Sequence, residues 1–134
     1  MPNDFLIGCN GRGAQASSIE HPISLEEATI DEQFRLVKET GVFDYFDRIP
    51  LRDSIDEYRV AFEKYDLPIA TVSWFYRLGQ DEALLSDNLL IAKEFGAKMH
   101  NIMIFTHHAD GHAVTNDEII DSYLSTYDEA MKLG

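Results

Sequence analysis

An α/β fold built on parallel strands is predicted by three features of the chain. Short apolar runs alternate with amphipathic stretches, four times in succession. Three S/T-x-x-E capping boxes mark helix starts between the runs: Ser24 with Glu27, Ser54 with Glu57, and Thr115 with Glu118. Gly41 and Gly96 follow amphipathic stretches, where a left-handed C′ residue closes a helix. Such alternation argues for helical, right-handed crossovers between parallel strands.

Taken in order, residues 5–9 read as the first strand, followed by a polar loop over 10–22. Ser24 opens a helix carrying Leu25, Ala28, Phe34 and Val37 on one side. Residues 42–46 form the second strand, which ends at Asp47. Ile55, Tyr58, Phe62 and Tyr65 line one face of the next helix, and Pro68 stops it. Residues 69–75 are the third strand, β-branched and aromatic, and 81–95 the third helix. The fourth strand covers 101–106, and the Thr115 box opens a last helix with Ile119, Tyr123 and Tyr127 on its apolar face. No linker interrupts the 134 residues, which read as a single domain.

Charge narrows the function. With 24 acidic residues against 11 basic, the formal charge is −13. That field repels phosphate backbones, so no nucleic-acid partner is expected. Cys9 is the single cysteine, so an intrachain disulfide is impossible, which suits a reducing cytoplasm. The first residues lack the basic start and apolar core of a signal peptide. No apolar run approaches the roughly 20 residues that span a bilayer, so no membrane partner is expected.

Candidate chemistry concentrates in KMHNIMIFTHHADGH, residues 98–112. It reads as a strand running into a histidine cluster, and α/β proteins bind ligands where strands end. If the strand alternates regularly, His107 points inward at the rim and His108 turns out to the loop. Both are candidate substrate contacts, while His112 reads as a solvated loop residue. Asn10 and Arg12 follow the first strand, and Arg12 suits a phosphate or carboxylate. Asp47 suits a sugar hydroxyl or a loop hydrogen bond. Trp74 suits stacking on a sugar's apolar face, or closure of the core. Gly11, Gly13 and Ala16 match G-x-G-x-x-A, but the Ser24 helix start comes too late for that loop to cradle a pyrophosphate.

GVFDYFD over 41–47, EFGAKMHNIMIFTHH over 94–108 and the following TNDEIIDSYLSTYDEAMKLG resemble the xylose isomerase-like TIM-barrel superfamily, which includes sugar-phosphate isomerases and epimerases and endonuclease IV. The resemblance implies four βα units, half of a (β/α)8 TIM barrel. It implies that residues 1–134 are the N-terminal half, stopping before strand five, because a complete barrel needs about 250 residues. It further implies a parent that isomerises or epimerises a sugar or sugar phosphate with a divalent metal (Mn, Mg, Zn or Co). His107 matches the strand-four position where endonuclease IV-like members place a zinc-binding histidine. The parent's other ligands would lie on later strands, so this chain alone is expected to hold no metal and to be inactive. It is expected to pair with the missing half or with itself. A small doubly wound nucleotide-binding module and a non-catalytic, self-associating half barrel are the alternative readings.

Overall fold

The computed structural model describes residues 5–10 and 28–134, and Thr29 opens the first helix among them. The Thr29 side chain accepts from the Glu32 amide at 3.1 Å, and the Glu32 carboxylate accepts from the Thr29 amide at 2.8 Å. This reciprocal box starts α1, Ile30–Glu39. Gly41 follows at φ +70°, as the sequence implied. The Ser24 box and the glycine loop with Arg12 lie outside the described residues.

The described residues form a mixed α/β structure of four helices and short parallel strand pairs. In chain order the remaining elements are β1 (Gly8–Cys9), β2 (Tyr45–Phe46), α2 (Ile55–Tyr65), β3 (Thr71–Tyr76), α3 (Glu82–Glu94), β4 (Met99–Ile104) and α4 (Asn116–Leu133). A 3-10 turn over Arg52–Ser54 leads into α2. β1 pairs with β2 and β3 with β4, both parallel, the second pair running in register from Thr71↔Met99 to Tyr76↔Ile104. Between the pairs, the Phe46 amide donates to the Pro68 carbonyl at 2.8 Å.

The first two strands are shorter than their apolar runs. Beside β1, the Ile7 amide is taken by the Asp44 carboxylate at 2.8 Å, a side-chain substitute for a ladder bond. Val42 is 62% exposed and gains no burial from pairing. Ser54 corrects another expectation. It stands at the N-cap of α2, but its side chain makes no capping bond. The 3-10 turn leaves Ser54 at ψ 16°, away from the extended conformation from which a hydroxyl reaches the N3 amide.

The core lies between helices and strands. Phe34 and Val37 of α1, Tyr58 and Ala61 of α2, Ile91 and Ala92 of α3 bury against Phe46 and Val72. Phe34 stacks on Phe46, ring centroids 4.2 Å apart. The opposite face of β3 and β4 is open: Phe75, 53% exposed, meets only the Phe105 ring at 5.5 Å among the ring pairs of that face.

Candidate functional site

Alternation along β3 and β4 decides which side chains meet. Val72 and Tyr76 turn to the helices and are buried. Ser73 and Phe75, with Met103 from β4, line a cavity on the other face. Asn10, just past β1, with Asp47 and Arg48, just past β2, complete its wall. The cavity lies just past the ends of β1 and β2 and against the middle of β3, and has a volume of about 180 Å3. Complete small-molecule sites run to roughly 300–1,000 Å3, so this cavity is smaller than most of them.

Its polar groups are held by neighbours. The Asp47 carboxylate accepts from the Ser73 hydroxyl at 3.4 Å, and the Asp47 amide donates to the Cys9 carbonyl at 2.9 Å. Arg48 donates from Nη1 to the Gln33 Oε1 at 3.3 Å, which steers the guanidinium across the end of β2. Trp74, on the same side of β3 as Val72 and Tyr76, packs against the core cluster and also borders the cavity. A carboxylate, a guanidinium, a hydroxyl and an aromatic edge can grip a polyol by hydrogen bonds and by its C–H face. A resident metal fits this wall poorly. Among the described residues Asp47 is its only carboxylate, it stands beside a guanidinium, and stable transition-metal sites use three or four ligands.

Of the candidate residues, the structure brings Asn10, Asp47 and Trp74 together and leaves both histidines outside that lining. After Ile104 the ladder ends, and His107 forms an isolated antiparallel bridge with Ala113. His107 is exposed; its carbonyl accepts from Arg77 Nη1 at 2.9 Å and its Nδ1 contacts the Thr106 hydroxyl at 3.1 Å. His108 turns to the helix side. It lines a second cavity of about 330 Å3 between α3 and α4, with Leu78, Glu82, Glu118 and Asp121. Its ring covers Gly79, where an added Cβ would stand 2.2 Å from His108 Cε1.

His112 is not merely solvated. Its Nδ1 lies 2.5 Å from Asp110 Oδ1 and its Nε2 lies 2.7 Å from Glu118 Oε1. Bonding to Glu118, then to Asp110, raises the His112 pKa above the ordinary imidazole value. The Thr115 amide, with His112 beside it, lowers Glu118 to about 2. The His112 amide lowers Asp110 below the usual carboxylate range.

Sequence reasoning missed Arg48, Ser73, Phe75 and Met103 on the strand-end wall. Arg48 follows Asp47 directly, and period-2 counting from Phe75 reaches Ser73, so both signals were present. It also missed the convergence of Asp110 with His112, which a turn creates. No family model, curated protein or solved structure matches this chain.

Proposed function

We propose that the chain is the N-terminal part of a metal-dependent sugar or sugar-phosphate isomerase or epimerase-like barrel, working in the cytoplasm, and that it supplies one wall of the substrate site. The observation that carries this is the wall itself. Residues just past β1 and β2 converge with residues of β3 and β4 on one cavity, and βα barrels bind substrates beyond the C-terminal ends of their strands. The strand contacts also favour a barrel-like order. β1 bonds β2, the β2 end bonds the segment before β3, and β3 bonds β4, so sequence neighbours are spatial neighbours. A doubly wound nucleotide-binding module would insert a strand out of sequence order.

In this reading Asp47 accepts a substrate hydroxyl, Arg48 holds a phosphate or a carbonyl oxygen, Phe75 shields the C–H face from water, and Trp74 borders the cavity from the core side. Asn10 adds an amide at the rim. The metal and the carboxylates that move the proton belong to the other half of the barrel. This chain binds and orients.

Trp74 is the single tryptophan, so its emission reports on the wall directly. Titration with a panel of aldose and ketose phosphates should give a saturable fluorescence change. Arg48→Ala and Asp47→Asn should weaken it about ten-fold each, the value of one charged hydrogen bond. A flat response to the whole panel at millimolar concentration would remove the sugar-site reading.

A further inference from the structure

A tight turn after β4 gathers three metal-ligating side chains on the helix side of the strand. The His108 amide donates to the His112 carbonyl at 2.9 Å, and the Gly111 amide donates to the His108 carbonyl at 2.9 Å. Gly111 sits at φ +93°, which only glycine adopts cheaply. The His107–Ala113 bridge fastens the neck of the turn. As a result one ligand atom from each of His108, Asp110 and His112 falls within 4.8 Å of the others.

We infer that His108, Asp110 and His112 form a binding site for a divalent transition metal of the zinc class. The atoms facing one another are suitable. His108 Nδ1 lies 3.3 Å from Asp110 Oδ1, and His112 Nδ1 lies 2.5 Å from the same oxygen. Zinc–nitrogen and zinc–oxygen bonds of about 2.0–2.2 Å at tetrahedral angles place ligand atoms roughly 3.3 Å apart. To bring both nitrogens onto one ion, the two rings turn out of their parallel stack until each plane contains it. The Asp110 amide donates to His108 Nδ1 at 3.3 Å, so that nitrogen is unprotonated, and an ion takes over the lone pair that the amide now holds. The two imidazole rings stack 4.6 Å apart, which keeps their nitrogens on one side of the turn.

The surroundings support a cation. His112 Nε2 faces Glu118 Oε1 at 2.7 Å, the carboxylate–histidine arrangement that fixes the tautomer of a metal-bound histidine. Glu118 is itself anchored, its other oxygen accepting from the Thr115 amide at 2.7 Å. The adjoining cavity is walled by Glu82, Glu118, Asp121 and Glu129, so the local field is strongly negative. His108 cannot swing freely because its ring rests on Gly79. Two imidazoles and one carboxylate prefer zinc or cobalt to magnesium or calcium, and a fourth position stays open to water. This site shares no residue with the strand-end wall, and the inference does not rest on the sugar reading.

The test uses the full chain, stripped with a chelator, dialysed, and titrated with cobalt chloride. One equivalent should bind at micromolar concentration, give the visible absorption of tetrahedral cobalt, and be displaced by zinc chloride. His112→Ala and Asp110→Asn should abolish that spectrum. Glu118→Gln, which preserves the helix cap, should weaken affinity about ten- to a hundred-fold. His107→Ala, outside the cluster, should bind as the parent does. Absence of saturable cobalt binding overturns the inference. So does unchanged binding in His112→Ala and Asp110→Asn, or an equal loss in His107→Ala.

Discussion

Tyr76, Asn88 and His100 join β3, α3 and β4 through hydrogen bonds whose proton positions are fixed from one end. The Val72 carbonyl, 3.2 Å from His100 Nδ1, can only accept, so Nδ1 carries the proton and Nε2 is bare. Tyr76 then donates to His100 Nε2 at 2.6 Å, and Asn88 Nδ2 donates to the Tyr76 oxygen at 2.8 Å. Tyr76→Phe leaves two partners unsatisfied and should cost about 1–3 kcal/mol in denaturant unfolding. Burial lowers the pKa of His100 and raises that of Tyr76 to about 12. The unfolded chain therefore takes up the histidine proton first. Stability should be complete above the ordinary value of 6.5 and fall as pH drops through it toward the depressed folded value. At the alkaline end the unfolded tyrosine ionises first, so stability should fall as pH rises from 10.0 to about 12. Unfolding free energies across pH measure both limbs, and His100→Gln should flatten the acid one. None of these three residues stands out in the sequence. Asn88 lies inside a helical apolar pattern, and a side-chain bond across two elements leaves no local periodicity.

At the scale of elements, capping shows what a motif can and cannot announce. Ser54 and Thr115 carry the same S/T-x-x-E pattern, yet only Thr115 makes the reciprocal bonds. Thr29 makes them as well, from the box Thr29-Ile-Asp-Glu32. Thr29→Ala and Thr115→Ala should each destabilise by about 0.5–2 kcal/mol. Ser54→Ala should stay within about 0.5 kcal/mol, since no capping bond is lost. Hydrogen exchange in the first turns of α1, α2 and α4 resolves the three. Equal protection losses at all three caps would contradict the bond pattern. The order of helices and strands was legible because periodicity and glycine stops are local. Helix starts and strand lengths were not, because a preceding 3-10 turn or a competing carboxylate such as Asp44 decides them. On the cavity wall, Asn10 and Asp47 were legible because each follows an apolar run, whereas Trp74 lies inside β3. The His108–His112 turn was not, because its register change after Ile104 comes from backbone pairing to Ala113.

Across the whole molecule, apolar surface and strand edges are left over. Among the described residues β1 pairs only with β2, and β4 pairs only with β3. Phe5 is 85% exposed on the β1 side, and Phe75 and Phe105 lie open on the face away from the helices. On α4, Ile120, Leu124, Tyr127 and Met131 stand one helical turn apart and are all more than half exposed. These are the faces that a second half barrel would cover, and unpaired parallel edges are ordinarily buried. No helix among the described residues is long and apolar enough to cross a membrane, so a bilayer-spanning helix does not account for the exposed stripe. The expectation is association, with another copy or, on the proposed reading, with a second half barrel. Sedimentation at micromolar concentration should give a species larger than 15.3 kDa. Leu124→Glu and Tyr127→Glu should drive it toward monomer, and because both side chains face solvent each should change stability by no more than about 0.5 kcal/mol. The charge of −13 opposes assembly, so raising the salt concentration should strengthen association of the parent chain. A monomer that melts cooperatively, at low salt and high, would mean that these edges need no partner, and the half-barrel reading would fall with it.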